Sequence, residues 1–300
     1  MNVTQIKTMN KSIQIYGWMF VLPAIISIII FIIYPIVFSS IMSFTNWKSL
    51  FVDIKFVGFD NYRWVFSRDG DLFWQGLNVS FKFALISTLI QTVLGFILAS
   101  VLYNLSRRAQ SIYKVLLYTP VILPAAVVAV MWSFIYKPEV GLIDQFLSKV
   151  FHITNTPLWI ADQNIALWSV IATNTWRFVG ITMIIYFVAM NAISKEVIES
   201  SRMDGANKWQ TIKHIIIPLT WRSTQINILL SIIGGLKSFD LFYLLTGGAA
   251  GTRVVGLHIY KTAFEYRQFA RAVTMSLILT IIIGIVTIIV NKVFKKVEDF

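Results

Sequence analysis

Six runs of apolar residues divide the chain, at 16–43, 79–103, 115–136, 165–190, 221–245 and 272–293. A helix crosses the hydrocarbon layer in about 20 residues, so each run predicts one membrane-spanning helix. Tyr16, Trp18, Phe44, Trp47, Tyr103, Tyr136 and Trp221 gather at the ends of these runs, where amphipathic rings sit at the level of the headgroups. Pro23, Pro35, Pro120 and Pro124 fall inside the first and third runs. They predict kinks whose freed backbone groups must be satisfied by neighbouring helices. The polar segment 44–78 carries four aspartates and several aromatic residues, and predicts a small folded cap with an interfacial helix. The expected organisation is a short tail at 1–15, one transmembrane domain at 16–293 and a tail at 294–300.

Composition fixes the class. The chain is 57% hydrophobic and 13% charged, with a mean hydropathy of +0.71, whereas soluble domains are about a quarter charged. The expectation is an all-α, multi-pass membrane protein whose first partner is the lipid bilayer. The net charge of +12 does not imply nucleic acid, because much of it lies at span ends, where Lys and Arg set orientation. Thirteen Lys and Arg residues fall on the side holding both termini and 191–219, and ten on the other. Both termini and that loop are therefore expected in the cytoplasm. Cysteine is absent, which excludes disulfides and thiol chemistry. His152, His214 and His258 are scattered and lack metal-ligand spacing. The glycine-rich run 246–252 does not have the order of a phosphate-binding loop. No H-E-x-x-H, nucleophile elbow or catalytic carboxylate pair is present, so no catalytic residue is expected.

The longest charged stretch, 194–219, reads as helix, turn, helix. Ser194 is placed to cap a first helix, with Glu196 and Glu199 toward its positive end. Asp204-Gly205 breaks it, glycine supplying a positive φ at little cost. Asp204 is expected to cap a second helix over 206–217, and Pro218 to open the next span. Two short polar helices beside a membrane suit a docking element for another protein; the alternative is an ordinary solvated loop.

Ionisable groups within a bilayer cost on the order of several kcal/mol unless paired or hydrated. Lys82 is near enough to a span end to snorkel outward. Arg177 lies in the middle of the fourth run, and Lys237 and Asp240 at a similar depth in the fifth, three residues apart and able to share a helix face. Asn174, Trp176 and Phe178 add polar and aromatic surface, and Ser231, Gly234, Gly235 and Ser238 are small for a lipid-facing stripe. These residues predict a hydrated cavity between the fourth and fifth spans, suited to a polyhydroxylated ligand. A closed structural ion pair remains the alternative.

The stretch E-S-S-R-M-D-G-A-N-K-W-Q-T-I-K-H-I-I-I-P-L at 199–219 resembles the cytoplasmic EAA loop of binding-protein-dependent ABC importer permeases. The likeness is to the carbohydrate branch, in its maltose- and glycerol-phosphate-permease-like first subunits. The segments 22–36, 43–47, 56–62, 113–124, 132–143 and 239–248 support it along nearly the whole chain. The resemblance implies a type I ABC importer permease fold of six transmembrane helices with cytoplasmic coupling helices. It places Glu199, Ser200, Ser201, Asp204, Gly205 and Ala206 at the contact with the ATPase, although Ser200 and Ser201 stand where two alanines are usual. It further implies a second, similar permease subunit, two cytoplasmic ATPase subunits that bind ATP and magnesium, and an extracytoplasmic solute-binding protein. The substrate would be a small carbohydrate carried by alternating access, with Asn174, Ser231 and Ser238 as the transferable polar lining and no cofactor held by this chain; the residues themselves add Trp176, Arg177, Phe178, Gly235, Lys237 and Asp240 to the expected pathway. Two rivals stay open: import of another solute, such as a phosphorylated glycerol, and a channel or ion-coupled carrier that uses Arg177 and Asp240 as a relay.

Overall fold

A computed structural model describes residues 3–48, 53–153 and 155–298. Helices dominate. Among the described residues four are long and apolar enough to cross a membrane: Tyr16–Met42, Arg68–Tyr103, Ala166–Ala192 and Phe269–Lys295. A fifth candidate is a pair, Arg107–Ile122 and Ala125–Ile135, bent by 101° at its junction. The bend is the physical outcome of Leu123-Pro124, since a proline excludes the α conformation from the residue before it. The third run is thus a sharply bent pair of helices that starts earlier than expected.

The fifth run is not one helix either. It divides into α12 (Trp221–Lys237) and α13 (Asp240–Leu245), with Ser238 in extended backbone between them. The second span also begins earlier than its apolar pattern suggested, at Asp71, as α4 (Asp71–Tyr103). Lys82 consequently stands about three turns inside that helix, farther from its end than the apolar run suggests. The charged first turn belongs to the same helix as the apolar run behind it.

Two wide π turns, Ile29–Ile33 and Ile212–Ile216, each run directly into a helix with proline in its first positions, Pro35 in α2 (Tyr34–Met42) and Pro218 in α11 (Ile217–Leu219). A proline offers no N–H and crowds the carbonyl four residues back, and the wider turn relieves that crowding.

At the centre α4 packs most extensively on α8 (Ala166–Ala192), and next on α12. Three apolar clusters follow its length. One joins Leu77 and Ala84 to Leu236, Val255 and Met275. The second joins Phe83 to Val170, Leu241, Phe242 and Leu257, bringing α6 (Ala125–Ile135), α13 and α14 (Val255–Phe264) together. The third joins Ala99 and Leu102 to Met183, Tyr186 and Met190, and takes in Ile198 and Ile216 from the charged stretch.

Segment 44–78 contains an antiparallel bridge between Thr45 and Phe56 and a short helix, α3 (Asp60–Val65). The Asn61 amide donates to the carbonyls of Ser43 and Thr45 at 2.8 and 2.7 Å. Arg271 stacks its guanidinium 4.4 Å from the Trp64 ring centre, tying the segment to α15 (Phe269–Glu298).

A second connector centres on Asp144, in α7 (Leu142–Phe151). Its carboxylate accepts from Trp159 Nε1 at 2.6 Å, Thr156 Oγ1 at 2.7 Å and the Glu139 amide at 2.8 Å. Burial works to raise its pKa, but these three donors outweigh it and hold the carboxyl below its ordinary value. A group depressed in this way stabilises the fold above its unfolded pKa, and the contribution fades as pH falls through the folded value. Asp144→Asn should therefore lower the thermal midpoint at neutral pH by roughly 3–8 °C. The gap from the wild type should narrow below about pH 4. Melting curves across pH check both; an equal gap at every pH would refute the ionic role.

Candidate functional site: an intramembrane cavity and a polar foot

The cavity is built from helical stripes. Along α8, Asn174, Arg177, Phe178, Ile181, Thr182 and Ile185 recur at intervals of three and four and share one face. Along α12, Asn227, Leu230, Ser231 and Gly234 do the same, and Ser238 joins the lining just past the end of that helix. The two stripes enclose about 500 Å³, with Gln91 of α4 as a further wall and Lys237, Phe239 and Asp240 at the end remote from 194–219. Polar contacts order the lining. Ser231 Oγ lies 3.0 Å from Gln91 Oε1, and the Asn227 amide is 3.5 Å from the Thr182 carbonyl.

Arg177 is largely buried, its side chain 13% exposed, against 48% for Asp240. Its Nη1 forms an ion pair with Asp240 Oδ2 at 3.8 Å, and its Nη2 donates to the Leu123 carbonyl at 3.1 Å. The guanidinium carbon lies 4.9 Å from the Phe178 ring centre. The expected pairing of Arg177 and Asp240 is present, across two helices. Lys237 and Asp240 do not share a helix face, because the break at Ser238 and Phe239 lies between them. Lys237 is exposed on the cavity lining.

Of the residues expected along the pathway, Asn174, Arg177, Phe178, Ser231, Gly235, Lys237, Ser238 and Asp240 line this cavity. Trp176 does not. It sits one residue off the stripe, edge-on to Trp132 at 5.6 Å, and faces a separate apolar groove with Ile90, Leu94 and Trp168. Gly235 has a double position: a Cβ there would stand 2.8 Å from Ala84 Cα. Gln91, Thr182 and Asn227 were not singled out from sequence. For Gln91 and Asn227 the available signal was an amide inside an apolar run.

The charged stretch forms a compact foot. Ser194 caps α9 (Lys195–Met203) by accepting from the Val197 amide at 3.4 Å. Gly205 has φ of 83°, the left-handed geometry glycine permits. The Ala206 amide reaches back to the Ser201 carbonyl at 2.9 Å and the Gly205 amide to Arg202 at 3.0 Å, the paired closure of a helix end that such a glycine allows. Asp204 closes α9 and does not cap the second helix. That role belongs to Asn207, which forms a reciprocal capping box with Gln210 at 2.8 and 2.9 Å before α10 (Lys208–Thr211). The second helix therefore starts later than expected and widens into the π turn at Ile212. Glu199, Ser200, Asp204 and Gly205 are exposed and Ala206 is half-buried. Ser201 is buried, its hydroxyl donating to the Ile198 carbonyl at 2.8 Å. Met203 and Trp209 are the foot's most exposed large apolar side chains, at 88% and 69%.

Residues 91–298 match the family model described as binding-protein-dependent transport system inner membrane component. The chain is 30% identical over 289 residues to the probable ABC transporter permease protein YurN of Bacillus subtilis (strain 168), covering 95% of this chain and 98% of that one. It is 28% identical over 286 residues to the probable starch degradation products transport system permease protein AmyD of Thermoanaerobacterium thermosulfurigenes, with 95% of each covered. Among solved structures, a bacterial ABC transporter involved in the import of the acidic polysaccharide alginate matches with a TM-score of 0.82 at 19% identity, over 98% of this chain and 99% of that one. At that identity the likeness concerns the fold.

Proposed function

The chain belongs to the family of binding-protein-dependent transport system inner-membrane components, and from that premise we propose that it is the permease subunit of an ATP-driven carbohydrate importer. The observation that carries the proposal is the 500 Å³ cavity, in which hydroxyls and amides alternate with the Phe178 ring and aliphatic side chains. That mixture matches a sugar, apolar on its CH faces and polar at its rim. Cavities of about 300–1,000 Å³ accept small molecules. The relative named for starch degradation products supports an oligosaccharide.

The foot supplies the second half of the mechanism. Ile198 and Ile216 root it in the same apolar cluster as the ends of α4 and α8. A push on the foot is thereby passed to the helices that line the cavity, and closely packed elements move as bistable units. In the proposed assembly the foot and both termini are cytoplasmic, and two ATPase subunits that bind ATP and magnesium grip the feet of this chain and of a second permease. A solute-binding protein delivers sugar at the opposite face. The pairing of Arg177 with Asp240 withdraws one cation from any anionic ligand, and among the described residues Lys237 is the cation left facing the cavity.

The test is uptake by membranes holding the complete complex. Radiolabelled maltotriose should accumulate only with ATP and the binding protein. An added Cβ at Gly205 has open space around it, so substitution there acts through backbone strain of about 1–2 kcal/mol. Uptake should fall in the order Gly205→Asn, Gly205→Ala, Gly205→Val, with about a tenfold loss for valine while ATP hydrolysis continues. ATP-independent uptake would favour a channel or carrier, and glycerol phosphate uptake the other solute. Undiminished transport in Gly205→Val would overturn the coupling role.

A further inference from the structure

Both broken helices place their breaks beside one side chain. At the first, Leu123 leaves the helical path, with φ −67° and ψ 133°, ahead of Pro124. Its carbonyl lies between the two helices and is taken by Arg177 Nη2. At the second, Ser238 and Phe239 separate α12 from α13, and Asp240 is the first residue beyond. Its Oδ1 accepts from the Leu241 amide at 2.8 Å, while Oδ2 is held by Arg177 Nη1. The two segments beyond the breaks, α6 and α13, pack directly against each other. Val128 and Ala129 of α6 and Leu241, Phe242 and Leu245 of α13 belong to one apolar cluster.

We infer that Arg177 is a positioning residue that fastens the paired segments α6 and α13 to α8, latching the end of the cavity remote from the foot. The planar guanidinium suits the task because its two terminal nitrogens address two elements at once. The ion-pair contact is the weaker arm, at 3.8 Å to a half-exposed carboxylate; the other is a hydrogen bond of 3.1 Å to backbone. Letting go at Asp240 frees α13, and α6 moves with it through their shared cluster. The inference rests on the alternating-access reading, in which this end must open and close.

The absence of cysteine supplies a clean probe. Gly234 lines the cavity about two turns below Asp240, on the foot side of the latch, and an added Cβ there meets nothing within 4 Å. A Gly234→Cys chain in the complete, nucleotide-free complex is labelled with a membrane-impermeant maleimide, applied to the face opposite the foot. Labelling should be slow with Arg177 present and at least about fivefold faster in Arg177→Gln, with labelling from the foot side unchanged. Asp240→Asn, at a more exposed position, should also accelerate it, and reports on the latch if the Arg177 variant does not assemble. Arg177→Lys should be intermediate. Unchanged labelling in Asp240→Asn, a wild-type rate in Arg177→Lys, or equal acceleration from both faces would overturn the latch. Wild-type uptake is measured in parallel, so failure of the transport reading is seen separately.

Discussion

Gly180→Leu should abolish accumulation of the assembled protein, whereas Gly284→Leu on α15 should leave it near the wild-type level. Gly180 is buried where α8 crosses α5 (Arg107–Ile122). A Cβ added there would run into the carbonyl oxygen of Leu117, with Leu117 C and Tyr118 Cα close behind. All three are backbone atoms, so no rotamer change makes room and the helices themselves must separate. Overpacking of a filled interface costs about 1–3 kcal/mol even where side chains can yield. Here the neighbour is fixed and the incoming group is larger than a methyl. Gly284 has nothing within 4 Å of an added Cβ, which makes it the control for placing leucine at a membrane-helix glycine. Size-exclusion profiles of the tagged chains decide the matter. A Gly180→Leu chain eluting at wild-type yield would show that α5 and α8 are not in the described contact.

The contrast between these glycines marks how far the sequence can be read. The hydrophobic runs locate the helices because burial in lipid demands length and apolarity, and both are written in composition. The pairing of Arg177 with Asp240 was legible because two opposite charges at one depth in a membrane require each other. Trp176 could have been excluded by angle alone, since successive helical residues are about 100° apart and the stripe through Asn174, Arg177 and Phe178 leaves it aside. The capping box was equally legible in Asn207 and Gln210, although Asp204, beside Gly205, offers the same side-chain chemistry three residues earlier.

Other features are not local. Pro124 announces a kink, but its 101° angle depends on what α6 and α13 find to pack against. The break at Ser238 carries no proline. It is stabilised from outside, by α14, whose Gly256 would bring a Cβ within 3.2 Å of the Ser238 carbonyl. Gln91 is unreadable for a similar reason. A single amide in an apolar helix acquires meaning only when Ser231, 140 residues away in sequence, is set beside it.

Gly234→Trp should leave the complex assembled and cut uptake by on the order of a hundredfold. An indole placed in the cavity competes with substrate for the same volume; a steric penalty of about 2–3 kcal/mol corresponds to that loss, each 1.4 kcal/mol being tenfold. The neighbouring position should fail in the other manner. A methyl group at Gly235 would stand 2.8 Å from both Cα and Cβ of Ala84, so Gly235→Ala drives α12 away from α4 and should reduce the yield of assembled protein first. The two glycines are adjacent in sequence and about 100° apart around one helix, one facing the cavity and the other a helix contact. Initial uptake rates normalised to assembled complex separate the cases. Near-normal transport by an assembled Gly234→Trp complex would mean that substrate does not pass between α8 and α12, and the 500 Å³ space would then be only a gap between helices.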